Sequence, residues 1–196
     1  VFTPDDVDLI RGGPEKRRSF ADLCSCQLKP NNLETVKRYD ALLMQRNALL
    51  KSVSAGSTGA DTIAVWDQQV AAIGTAVSQL RHQYIGLLND CCQKLYSRIT
   101  GDRERLEISY SSNIFGSSLE DEKSGEYAVA RYYKKLCDAR EDDIRLGYTI
   151  YGAHRDDISI KINGMNIRDY GSQGQKKTAA LVLKLGQAEI YYSSRR

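Results

Sequence analysis

The sequence predicts an α+β fold in which a long antiparallel helical hairpin, a coiled-coil arm, is attached to a small mixed α/β lobe with a β-hairpin and a buried final helix. Three observations carry this expectation. Two amphipathic runs flank a Gly/Ser-rich break, the period changes from helical to alternating after Gly101, and the closing segment holds the nearly unbroken apolar run AALVL.

Residues 1–30 form a lead-in. VFTPDDVDLI reads as a short strand or loop, and Gly12-Gly13-Pro14 is turn chemistry that places Pro14 at the first position of a basic helix. Asn31 or Asn32 can cap the next helix, where Leu33, Val36, Tyr39, Leu42, Leu43, Leu49, Leu50 and Val53 share one face. SAGSTGAD breaks the pattern, and Asp61 or Thr62 can cap a second helix. Its apolar positions, Trp66, Val70, Ile73, Val77, Leu80, Tyr84, Leu87 and Cys91, alternate spacings of four and three, the mark of a coiled-coil seam. At ~1.5 Å per residue that seam is roughly 39 Å long. Residues 31–100 are therefore the expected arm.

Residues 101–196 form the expected lobe. LEISYSS puts Leu106, Ile108 and Tyr110 on one face of a strand, and GEYAVARYYKKLCDAREDDI is a third helical pattern. ISIKINGMNI alternates Ile158, Ile160 and Ile162 into Asn163-Gly164, a pair suited to a type I′ hairpin turn. A helix from about Lys176 to Tyr192 closes the chain, apolar on almost every side and so expected to be buried.

With 196 residues, 41% apolar, and a net charge of +3, the chain has the size for one core, or a core plus a projecting element. No run approaches the ~18 apolar residues of a membrane helix, and no signal-peptide pattern is present, so a cytoplasmic location without membrane association is expected. Five cysteines without Cys-x-x-Cys pairing read as structural thiols. The chain starts at Val1 without Met, which suggests an excised piece of a longer protein. Acidic residues gather at 120–122 and 141–143, while residues 151–196 carry eight Lys/Arg against four Asp/Glu, an excess that suits an anionic partner.

GSQGQKKT (residues 171–178) invites a phosphate reading. It is not a Walker A loop, because Lys176 stands where that pattern requires a glycine. Its glycines and the adjoining helix start still offer converging N–H groups and a positive dipole end, and Ser172 adds a hydroxyl. A plain helix cap is the competing reading. His154-Arg155-Asp156-Asp157 can be read as a nuclease metal site, but the only other histidine, His82, lies on the second long helix, so strand-edge and packing roles are expected and no metal site is assigned. Arg11, Lys16, Arg17, Arg18, Lys176 and Lys177 are the DNA-contact candidates, since Lys/Arg give salt-sensitive affinity for phosphates.

YGSQGQKKTAALVLKLGQAEI closely resembles the signature segment of the RecF family, DNA replication and repair ATPases built like the ABC and SMC families. VFTPDDVDLIRGGPEKRRSFAD, RYDALLMQRNALLK and GAHRDDISIKING match in the same order, so the resemblance covers nearly the whole chain. It implies a two-lobed ATPase head with a short coiled-coil arm, in which an ATP-dependent homodimer sandwiches ATP and magnesium. One subunit brings Walker A and Walker B, and the other presents its signature loop to the γ-phosphate. The matching positions are Ser172, Gln173, Gly174 and Gln175, with Ser172 donating to the γ-phosphate. The family also implies double-stranded or gapped DNA, RecR and RecO type partners, weak DNA-dependent ATP hydrolysis, and roles in recombination, replication, repair and the SOS response.

Departures qualify this. Neither Walker motif is present, so the chain reads as an internal fragment that carries no catalytic residue and no metal ligand, and is not expected to hydrolyse ATP by itself. Lys176-Lys177 replace the family's common Gln-Arg, which keeps charge at position 177 but loses bidentate contacts. A nucleotide-independent coiled-coil interaction or dimerisation module is the alternative from another class, and an SMC-type ATPase the enzyme alternative.

Overall fold

The computed structural model describes residues 3–57, 59–116 and 125–195; Thr58 of the Gly/Ser break and the acidic residues 120–122 lie outside them. The fold is α+β and mostly helical. Its helices are α1 (Asp8–Arg11), α2 (Pro14–Leu28), α3 (Asn31–Ser54), α4 (Ile63–Thr100), α5 (Gly125–Asp138), α6 (Arg140–Leu146), α7 (Ile167–Tyr170) and α8 (Gln173–Ser193). The strands β1 (Leu106–Ser111), β2 (Asp157–Ile162) and β3 (Met165–Asn166) form an antiparallel sheet in chain order.

Two compact units divide the chain: Val1–Pro30, Arg81–Ser111 and Asp157–Arg196 make the first, and Asn31–Leu80 and Ser112–Asp156 the second. This differs from the consecutive expectation of 1–30, 31–100 and 101–196. The reason lies in α4, whose residues 63–80 belong to the second unit and residues 81–100 to the first.

In the first unit, the expected alternation holds: Leu106, Ile108 and Tyr110 pair across the ladder with Ile162, Ile160 and Ile158, and all six are buried. Asn163 and Gly164, both at positive φ (51° and 79°), turn the chain from β2 into β3, as a type I′ turn requires. Against this face pack Tyr84, Ile85, Leu88, Cys92 and Tyr96 of α4 and Ala179, Ala180, Val182 and Leu183 of α8. The cysteines are free thiols, and burial pushes Cys24 up to about 11, which leaves it unreactive.

Three expectations need correction here. The segment after Thr3 is helical rather than extended: Pro4–Val7 forms a 3₁₀ turn, and the Asp6 carboxylate accepts from the Thr3 N–H at 2.7 Å. α8 is not buried all round, because Leu181, Leu185 and Tyr192 are exposed. On α4 the expected seam is buried at Val70, Val77 and Tyr84, with Trp66 and Ile73 packed against a core, and is lost beyond Tyr84. Leu87 is 54% exposed, while burial passes through Tyr84, Leu88, Cys92 and Tyr96 at intervals of four, as on a helix that is not supercoiled along one partner.

The second unit is built on α3, α5, α6 and the first part of α4, with Tyr39, Leu42, Val70, Val77, Phe115, Ala128, Tyr132 and Leu136 at its centre. Polar residues that the sequence does not single out are buried within it. Arg46 Nε donates to Asp67 at 2.7 Å, and its Nη1 donates to Asp143 and to the Thr149 hydroxyl, each at 2.7 Å. Arg140 closes on the other oxygen of Asp67 at 2.6 Å. Such a network is not a net source of stability, since desolvating the charges offsets their attraction, but losing one member strands the others.

Candidate functional site

The GSQGQKKT loop begins where α7 ends, and α8 starts at Gln173. Ser172 is the N-cap: its hydroxyl oxygen accepts from the Gln175 N–H at 3.1 Å, and the Ser172 N–H donates to Gln175 Oε1 at 2.8 Å. This reciprocal pair is a capping box, and it reconciles the two readings of the loop. A serine hydroxyl has two acceptor positions and one proton, so a cap that only accepts leaves that proton available to an external acceptor.

The N–H groups of Gln173 and Gly174 make no hydrogen bond among the described residues. Gly174 is exposed, and a Cβ added there would meet only the Ser172 hydroxyl, at 3.9 Å. Nothing inside the chain therefore requires a glycine in this helical turn, although glycine costs up to about 1 kcal/mol against alanine in a helix. Side-chain proton, unpaired N–H groups and open backbone together make an exposed surface able to receive phosphate oxygens.

Gln175 is fixed from a second direction, because its Nε2 donates to Glu104 at 2.8 Å and Glu104 in turn accepts from the buried Tyr96 hydroxyl at 2.6 Å. These two donors hold the Glu104 carboxyl below the usual carboxylate range. Sequence reasoning did not find Glu104, which sits in the charged run RERLE with no pattern to distinguish it.

The basic candidates do not form one group. Arg11 reaches the loop, its Nη2 donating to the Gln173 side-chain oxygen. Lys16 is paired with Asp8, and Arg18 is half-buried and engaged. Arg17 is drawn inward: it is 6% exposed, and its guanidinium clamps Asp157 at 2.8 and 3.0 Å and donates to the Gly12 carbonyl at 2.7 Å, so little of its donor surface is open. Lys176 and Lys177, half-buried and exposed, have no ion pair among the described residues.

The GAHRDD segment is structural in its geometry. In the second unit, His154 Nε2 lies 2.9 Å from the Thr149 carbonyl and Nδ1 lies 2.9 Å from the Tyr39 hydroxyl. Since a carbonyl only accepts, Nε2 carries the proton, Nδ1 accepts from Tyr39, Tyr39 accepts from Tyr132 at 3.0 Å, and Tyr132 accepts from the Ala153 N–H at 3.0 Å. Asp156 accepts from Ser78 at 3.1 Å and from the Asn113 N–H at 2.8 Å. Both His154 nitrogens are committed, and no cluster of three metal-ligating side chains occurs among the described residues.

Comparison with known proteins places this geometry. No protein-family model matches. The chain is 38% identical over 189 residues to the DNA replication and repair protein RecF of Agathobacter rectalis, covering 96% of this chain and 49% of that protein. It is 39% identical over 194 residues to that of Halothermothrix orenii, covering 98% and 51%. The solved structure of the recombination mediator protein RecF-ATP in the RecFOR pathway is 32% identical, covers 99% of this chain and 51% of that one, and superposes with a TM-score of 0.91. The chain thus spans about half the length of the relatives it matches, and over nearly all of its own length it belongs to the RecF family.

Proposed function

We propose that this chain is part of a RecF-type recombination-mediator ATPase and that its Ser172 loop contacts the γ-phosphate of ATP held by an opposing subunit. The observation that carries this reading is the exposed start of α8, where Ser172 caps the helix with its oxygen and keeps its proton, beside unpaired N–H groups at Gln173 and Gly174. Preorganised donors of this kind stabilise the charge that builds up in phosphoryl transfer. The relatives' link to ATP and to the RecFOR pathway supports the same assignment. Magnesium and the nucleotide's main binding groups belong to the opposing subunit's motifs, and no group of described residues here would hold the ion.

Duplex or gapped DNA is the proposed substrate surface, with Arg11, Lys16, Arg18, Lys176 and Lys177 as contacts and Arg17 as an internal strut. RecR and RecO type partners, an ATP-dependent homodimer and a cytoplasmic setting complete the proposal. The interaction module stands as the alternative reading; burial of Val70, Val77 and Tyr84 within their own units favours the ATPase reading over it. ATP turnover of the full-length protein tests the reading. Ser172→Ala should lower kcat while leaving nucleotide affinity nearly unchanged, since ATP sits on the other subunit's motifs. Unchanged turnover would overturn it.

A further inference from the structure

We infer that Glu104 is a positioning residue for the phosphate loop: it selects the amide orientation of Gln175 and through it fixes the Ser172 hydroxyl. The inference rests on the phosphate reading above and adds a residue to it. The relay runs from the buried Tyr96 hydroxyl to Glu104 Oε2 at 2.6 Å, from Glu104 Oε1 to Gln175 Nε2 at 2.8 Å, and from Gln175 Oε1 to the Ser172 N–H at 2.8 Å.

The directionality follows from donor chemistry. A glutamine amide presents one accepting oxygen and one donating nitrogen, and the two can exchange places by a half-turn. A carboxylate can only accept, so Glu104 admits only the Nε2 end of Gln175, which turns Oε1 toward Ser172. With the opposite orientation, the Gln175 NH₂ would face the Ser172 N–H, donor against donor, and the capping box would lose one of its two bonds. Tyr96 is 1% exposed and packed in the first unit's core, so it anchors the carboxylate to a rigid element. A loop that starts a helix at the protein surface is thereby tied to the core by charge-assisted hydrogen bonds, which are stronger than neutral ones. Preorganisation of this kind is what a site needs if its donors are to meet a phosphate without rearrangement.

The test uses the full-length protein with ¹⁵N-labelled serine and glutamine. Glu104→Ala should raise the exchange rate of the Ser172 amide about ten-fold, in keeping with loss of a hydrogen bond to a charged group, and should move the Gln175 side-chain amide resonances. Glu104→Gln keeps one accepting oxygen but can also donate, so it no longer excludes the reversed Gln175 amide and should restore both only in part. Tyr96→Phe removes the anchor but keeps the accepting carboxylate, so it should lower thermal stability and raise the Ser172 amide exchange rate by less than Glu104→Ala does. An unchanged Ser172 amide in Glu104→Ala, or equal effects of Tyr96→Phe and Glu104→Ala, overturns the inference.

A second readout is ATP-dependent dimerisation, which Glu104→Ala should weaken about ten-fold, with Ser172→Ala/Glu104→Ala no weaker than Ser172→Ala alone. Additive losses would mean that Glu104 acts elsewhere and would also overturn it. If Ser172→Ala dimerises like wild type while Glu104→Ala still frees the Ser172 amide, the phosphate reading fails and the positioning role of Glu104 stands.

Discussion

Replacing Gly152 with alanine should unfold the second unit at markedly lower denaturant. Gly152 has φ +145° and ψ 176°, a region that side-chain-bearing residues almost never occupy, and holding alanine there costs about 1–3 kcal/mol. The new methyl would also lie 2.5 Å from the Tyr132 hydroxyl, 2.7 Å from the Tyr39 hydroxyl and 3.0 Å from His154 Nδ1. Overpacking a site with no room to relax costs about 1–3 kcal/mol more, so the total is about 2–6 kcal/mol. Trp66 is the only tryptophan and packs against this unit's core, so its fluorescence in a urea titration reports the unit directly. Gly74→Ala separates the two contributions. Its Cβ would meet the same Tyr132 hydroxyl at 2.4 Å, but on a helix where alanine is favoured, so only the crowding remains. In a Tyr132→Phe background the Gly152→Ala cost should shrink by the part of the crowding that the Tyr132 hydroxyl supplies, while the backbone share and the contacts with Tyr39 and His154 persist. A Gly152→Ala protein within about 0.5 kcal/mol of wild type would refute the reasoning.

Three further outcomes follow from the same geometry. Asp67→Ala removes the carboxylate shared by Arg46 and Arg140 at a site with 0% side-chain exposure, and should cost about 3–5 kcal/mol by circular dichroism in urea; a loss under about 1 kcal/mol would contradict the buried network. Glu104 is held below the ordinary glutamate value of 4.5, chiefly by the Tyr96 hydroxyl and then by Gln175, so its contribution to stability is complete above pH 4.5 and is lost as pH falls through the lower folded value. Wild type should therefore lose more stability on acidification below pH 4.5 than Glu104→Gln, and parallel curves would speak against this. Gly174→Ala should leave stability unchanged or raise it by up to about 1 kcal/mol, because the added methyl meets nothing closer than 3.9 Å, yet it should weaken ATP-dependent dimerisation; a thermal melt and a dimerisation assay check the pair.

Much of this architecture was legible in the residues. Period-two alternation marks β1 and β2 correctly because each buries one face, and Asn163-Gly164 marks their turn because both residues tolerate positive φ. Pro14 marks a helix start for the same local reason, whereas α8 begins at Gln173, ahead of the expected start near Lys176. What stayed hidden depends on residues distant in sequence. Tyr39 meets Tyr132 across 93 positions and His154 across 115, and a polar residue on an amphipathic helix reads as solvated until a partner is known. Arg46, Asp67 and Asp143 were missed in that way, and Arg17 was read as a surface cation when it clamps Asp157. The seam on α4 was legible only in part for a related reason: Val70, Val77 and Tyr84 are buried as their spacing suggests, but burial also takes in Asp67, Ser78 and Arg81, which no apolar pattern marks. For the phosphate loop, local sequence offered a helix cap as one of two readings but did not place the helix start at Gln173 or show Glu104 behind Gln175.

The central claim is that Ser172 faces a phosphate on another subunit, and light scattering of the full-length protein with and without ATP tests it most directly. Ser172→Arg places bulk at the exposed helix start without touching the core, since Ser172 is exposed and, among the described residues, its side chain meets only the Gln175 N–H. The account predicts that ATP doubles the scattering mass of wild type and leaves Ser172→Arg monomeric at equal nucleotide occupancy. Equal ATP-dependent dimerisation of both proteins would contradict it and leave the loop as a helix cap alone.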